Sequence, residues 1–193
     1  MFLEIPEKSF IIQAPARCGS TSMAGFFHYE SAQDRHTLPL EHSIIFPKPE
    51  INYNVLVLRN PYDRLQSAIN YVHTHLIQET KLVNPNDHEA IKLWVHGHSH
   101  RHLHKHFLTS NPRFYYIDFY NLSKYIPMHQ DTRVFNISNM KWKNEFTKWR
   151  SKDLMEQEYK GYLAIKKNWR EMPVNIWKLL TNRIGKSQVK LLK

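Results

Sequence analysis

One stretch, Phe10 to Phe27, limits what this chain can fold into more than any other. It reads F-I-I-Q-A-P-A-R-C-G-S-T-S-M-A-G-F-F. The apolar run Phe10-Ile11-Ile12 predicts a buried strand. After the turn-prone Ala14-Pro15-Ala16, a Gly-Ser-Thr-Ser cluster opens a periodic segment from Met23 to Phe27. A second stretch, Val55 to Ser67 (V-L-V-L-R-N-P-Y-D-R-L-Q-S), repeats the plan, with Pro61 at a helix start. Strand, loop and helix in that order, met twice, predict an α/β domain whose strands run parallel.

The first loop has the makings of an anion site. The first-turn N–H groups of a helix have no partners inside it and carry the positive end of its dipole. Arg17, Ser20, Thr21 and Ser22 add side-chain donors to the same cradle. The spacing is not the G-x-x-x-x-G-K-[ST] of nucleotide triphosphatases, because the loop has one glycine and no Lys before the Ser/Thr pair. A serine-rich helix cap of purely structural use fits the same residues.

Taken together, the two motifs resemble those of sulfotransferases that use 3'-phosphoadenosine 5'-phosphosulfate (PAPS). In that family a P-[RK]-x-G-[ST]-T loop holds the 5'-phosphosulfate and R-x-P-x-x-R-x-x-S holds the 3'-phosphate. Arg17-Cys18-Gly19-Ser20-Thr21 matches the first except for its proline, which stands one residue early at Pro15. Arg59-Asn60-Pro61-Tyr62-Asp63-Arg64-Leu65-Gln66-Ser67 matches the second throughout, and the resemblance spans residues 9–80. It implies a P-loop-like three-layer domain, a central parallel sheet flanked by helices, with the ligand at the carboxyl ends of the strands. Cofactor contacts would fall to Arg17, Cys18, Gly19, Ser20, Thr21, Ser22, Arg59 and Ser67, with Arg17 also neutralising charge on the bridging oxygen. The catalytic base of such enzymes commonly sits between the two motifs. Here His42 is the candidate, since an unperturbed imidazole titrates near pH ~6.5, with Glu41, His36 and Glu30 as alternatives. Asp63 and Arg64 are expected to serve the helix start through a structural salt bridge.

The 193 residues suit one domain, 1–193. With 27 Lys and Arg against 17 Asp and Glu, the formal charge is +10, which favours anionic partners such as nucleotide cofactors or acidic glycans. Cys18 is the only cysteine, so no intramolecular disulfide forms and a reducing compartment is compatible. The N-terminus lacks the pattern of a secretory signal, and no apolar run reaches the ~18 residues of a membrane span. The family's carbohydrate enzymes are usually tethered in the Golgi, so the expectation is a soluble, cytoplasmic version of bacterial or viral origin.

Further along, Leu65, Ala68, Ile69, Val72 and Leu76 recur at helical spacing, and Asn84-Pro85-Asn86-Asp87 breaks and recaps the chain before an inward Ile91, Trp94 and Val95. Six histidines alternate from His96 to His106. As a helix they would form two i, i+4 series able to hold Zn. No carboxylate or cysteine neighbours them, however, and Arg101-His102-Leu103 is similar to the family's substrate-side loop, so no metal is expected. Arg113–Asp118 predicts a third strand and Thr132–Ile137 a fourth, and the resemblance implies that Asn136 and Ser138 lie near where the family completes its nucleotide pocket. Asp153–Trp169 predicts a helix with Met155, Tyr159, Tyr162 and Leu163 on its apolar side, and Val174–Ile184 a last helix stopped by Gly185.

The expected reaction is transfer of a sulfuryl group from PAPS to an acceptor hydroxyl, on a carbohydrate by family analogy, releasing adenosine 3',5'-bisphosphate. Two other classes remain open. A nucleotide or nucleoside kinase would need a loop Lys and an acidic Mg²⁺ ligand, neither of which is evident. A non-catalytic relative could use the basic face to bind anions or glycans. No aromatic-basic motif supports nucleic acid as a partner.

Overall fold

The computed structural model describes residues 2–27, 50–99, 111–128 and 148–191. Its strands are β1 (Phe2–Ile5), β2 (Phe10–Gln13), β3 (Tyr53–Leu58), β4 (Phe114–Asp118), β5 (Arg170–Glu171) and β6 (Lys190–Leu191). They form one sheet in the order β5-β4-β3-β2-β1-β6. β2 through β5 pair in parallel, Ile12 opposite Val55 and Leu56 opposite Tyr116, as the repeated strand-helix pattern predicts. The sheet as a whole is mixed, which corrects the expectation of a parallel one. β1 and β6 join antiparallel beyond β2. Only the three-residue 3₁₀ turn Pro6–Lys8 and Ser9 link β1 to β2. So short a link permits a hairpin and forbids the crossover a parallel pair requires.

The helices are α1 (Ser20–Phe26), α2 (Pro61–Tyr71), α3 (His88–Ser99), α4 (Lys152–Asn168) and α5 (Val174–Thr181). They cover both faces of the sheet. Val55 and Val57 of β3 point into a core with Phe10, Ile12, Met23, Phe27 and Trp177, which brings in α1 and α5. The alternate residues Leu56 and Leu58 point the other way, onto Phe114, Tyr162, Ile165 and Trp169. That alternation is the strand period of two. α2 buries Leu65 and Ala68, and the π-helical turns that continue it bury Val72 and Leu76, against Ile91 and Val95 of α3 and Met155 of α4.

Local signals set most helix ends. Asn60 Oδ1 accepts from Tyr62 N at 3.0 Å with Pro61 in the first turn. Asp87 Oδ1 accepts from Ala90 N at 2.9 Å, the recap expected after Asn84. α2 continues as a π-helix, Val72–Glu79, close to where the periodicity fades. After β4 the chain makes a 3₁₀ turn, Phe119–Lys124, capped by Asp118 through Tyr120 N at 3.1 Å. The buried side of α4 also differs from the expectation. Met155, Glu158, Gly161, Tyr162 and Ile165 face inward, while Tyr159 and Leu163 are 36 % and 47 % exposed. Apolarity alone misleads there because the helix turns a carboxylate to buried arginines. No described helix is long and apolar enough to cross a membrane.

Candidate functional site

The β2–α1 loop carries an unusual backbone. Cys18 N donates to Pro15 O at 3.0 Å, and both Arg17 (φ 62°) and Gly19 (φ 78°) are left-handed. Glycine adopts that conformation freely, whereas an arginine there is strained and has to be held by its surroundings. The holding group is Arg59, at the end of β3, whose Nη1 donates to Arg17 O at 2.6 Å. A side chain at position 19 would also meet Leu122, so the loop rests directly on the 3₁₀ turn after β4. Helix α1 then begins at Gly19 without a side-chain cap.

Arg17, Arg59 and Ser67 come together. Arg17 Nε donates to Ser67 Oγ at 3.1 Å across 50 residues of chain. The Arg17 guanidinium lies 4.6 Å from the ring centre of Tyr71, one helical turn beyond Ser67, and Arg59 lies 4.2 Å from that of Phe119. Arg59 is 3 % exposed, and its Nε and Nη2 have no hydrogen-bond partner. Burial holds both guanidiniums below their ordinary value, and for Arg17 the neighbouring Arg59 adds to the shift. Among the described residues neither arginine has a carboxylate partner. A buried Arg59 with two spare donors beside the half-buried Arg17 forms a site that an anion would complete.

The remaining loop residues divide by burial. Ser20 and Thr21 are partly exposed at the mouth of α1, and Ser22 is buried. The Cys18 side chain turns into the core, where burial pushes its thiol up against the opposing pull of Arg64 and Arg59. It therefore offers a ligand its backbone only. Arg64 makes a structural salt bridge, as expected: its Nη2 donates to Glu158 at 3.2 Å, and Arg150 pairs with the same carboxylate. Asp63 accepts the Tyr120 hydroxyl.

Sequence reasoning missed Tyr71 and Phe119. Tyr71 stands four residues after Ser67 and so on the same helix face, a spacing that could have found it. Phe119 directly follows β4, at the strand ends where open α/β sheets take ligands. His42, Glu41, His36 and Glu30 lie outside the described residues, as do Arg101-His102-Leu103, Asn136, Ser138 and the strand expected at Thr132–Ile137. The histidine run starts in the last turn of α3 and passes out of the described residues after Ser99. Among the described residues no three His, Cys, Asp or Glu side chains gather as a metal ion would require. A separate cavity of about 500 Å³ is bordered by His73, His88, Ile91, Lys92 and Trp149, and none of Arg17, Arg59 or Ser67 lines it. Compared with protein-family models, curated proteins and solved structures, the chain gives no match, so the case for its chemistry stands on this cluster.

Proposed function

We propose that the chain is a sulfotransferase that moves the sulfuryl group of PAPS to an acceptor hydroxyl on a P-loop-like domain. The meeting of Arg17, Arg59 and Ser67 carries this assignment: the two motifs touch at 3.1 Å, and Arg59 keeps two buried donors unpaired. Each buried unpaired donor costs about 1–3 kcal/mol, and a phosphate dianion supplies the oxygens that would remove the penalty. Ser67 fits the same role. Its Oγ accepts from Arg17 and leaves the hydroxyl proton to donate to an anion.

In this assignment Arg59 and Ser67 clasp the 3'-phosphate. Ser20, Thr21, Ser22 and the first-turn N–H groups of α1 take the 5'-phosphosulfate. The acceptor oxygen attacks sulfur as the bond from sulfur to the bridging oxygen breaks. Adenosine 3',5'-bisphosphate departs with that electron pair, facing Arg17, and the acceptor proton passes to a base, for which His42 is the candidate. Positioning and charge stabilisation supply most of the rate, by analogy with phosphoryl transfer. The acceptor proposed is a carbohydrate, and a formal charge of +10 suits an anionic one.

Calorimetric titration tests the cofactor. Adenosine 3',5'-bisphosphate is expected to bind more tightly than adenosine 5'-phosphate or ATP with Mg²⁺. Arg59→Ala is expected to weaken the bisphosphate by roughly ten- to hundred-fold and to erase its advantage. Equal affinities in the wild type, or an advantage that survives Arg59→Ala, would overturn the assignment.

A further inference from the structure

The aromatic partners of the two arginines go beyond the motif residues. A buried guanidinium is ordinarily held by a carboxylate, as Arg64 and Arg150 are held by Glu158. Arg17 and Arg59 are held by ring faces instead, at 4.6 Å over Tyr71 and 4.2 Å over Phe119. A ring face attracts a cation through its quadrupole without neutralising it. A carboxylate in the same place would compete with any incoming anion for the guanidinium donors.

From this geometry we infer that Tyr71 and Phe119 are positioning residues that stand in for carboxylate counterions, fixing Arg17 and Arg59 while leaving their charge for a polyanionic ligand. The inference deepens the cofactor site proposed above and rests on it for the identity of the nucleotide. Tyr71 does its work from the same helix face as Ser67, so one helix gives Arg17 both a hydrogen-bond acceptor and a π face. Phe119 is set by the turn it begins, which Tyr120 ties to Asp63 of α2 and on which Gly19 rests. The 3₁₀ turn after β4 thus acts as the floor of the site.

The test uses the full chain and two probes, adenosine 3',5'-bisphosphate and inorganic pyrophosphate, titrated calorimetrically. Tyr71→Leu is expected to weaken both by about three- to thirty-fold, whereas Tyr71→Phe, which keeps the ring, stays within about two-fold of wild type. Phe119→Leu is expected to weaken the bisphosphate to a similar degree. Because Phe119 is in the core, its melting temperature is read alongside, and the partly exposed Tyr71 provides the decisive pair. Tyr71→Leu binding like wild type, or Tyr71→Phe losing as much as Tyr71→Leu, would overturn the inference. A wild type that binds pyrophosphate and shows the Tyr71→Leu loss, yet does not prefer the bisphosphate, would uphold the positioning role while removing the PAPS assignment. A wild type that binds neither probe would overturn both.

Discussion

Two pairs of arginines, all buried except the half-buried Arg17, lie in and around helix α2, and they are treated in opposite ways. Arg64 (1 % exposed) and Arg150 (5 %) share the carboxylate of Glu158 (4 %), a triad with a counter-charge at its centre. Arg17 and Arg59 are brought together by a backbone carbonyl, a serine and two aromatic rings, with no carboxylate in ion-pair contact among the described residues, although Asp63 lies near enough to Arg59 to favour its charged form. The first arrangement is neutralised within the fold, the charges of Arg64 and Glu158 tying α2 to α4, even though Arg64 Nε and Nη1, like Arg59 Nε and Nη2, have no hydrogen-bond partner. The second leaves desolvated charge uncompensated, which lowers stability unless something else benefits. Charge pairing therefore separates the scaffold arginines from the proposed ligand pair, although Arg59 is as hidden from water as Arg64 and Arg150.

The largest effect is expected where the counter-charge is removed. Glu158→Gln keeps the shape of the side chain but leaves two buried guanidiniums unneutralised, and should lower unfolding free energy by about 3–5 kcal/mol in denaturant titration. An unchanged midpoint would erase the distinction between the pairs. Arg59→Ala should show the reverse pattern. Ligand affinity falls by the roughly ten- to hundred-fold given above, while the ligand-free protein stays within about 1 kcal/mol of wild type, because an uncompensated charge is lost along with its contacts. Strong destabilisation of the ligand-free protein would make Arg59 a scaffold residue like Arg64.

Gly19→Ala asks whether the ligand pair depends on the loop backbone. Its φ of 78° is strained for alanine, and the added methyl meets Leu122, so a loss of about 1–3 kcal/mol is expected, with weaker anion binding. The smallest effect is an alkaline one, and it belongs to a residue outside both pairs. Tyr125 donates its hydroxyl to Met172 O at 2.6 Å and is pushed up to about 12, mainly by burial. An unfolded tyrosine titrates near pH ~10, so the unfolded chain releases its proton first. Stability from this group is full below pH ~10 and is lost as pH rises toward about 12. Tyr125→Phe should flatten that decline, and a decline that persists in the variant would point to other groups.

The sequence by itself determined the parts of this protein that depend on near neighbours along the chain. Apolar runs at Phe10–Ile12 and Val55–Leu58, Asn60-Pro61 at a helix start and Asp87 before Ile91 give local signals of period and cap, and the strands and helices follow them. The alignment of Arg59 and Ser67 was legible for the same reason, as a strand end and a point two turns into the next helix. Only the tertiary structure decided which charges are answered. Arg64 meets Glu158 across 94 residues and Arg17 meets Ser67 across 50, and no local pattern encodes such pairings. It also decided that Glu158 faces inward on α4 in place of Tyr159 or Leu163, that β6 returns from the far end of the chain to the sheet edge beside β1, and that Phe119 lies beneath Arg59. Side-chain periodicity reports which face of an element is apolar on average. The partner of a buried charge is set by which distant segments the packed sheet brings within a few ångströms, where burial makes each unanswered charge expensive.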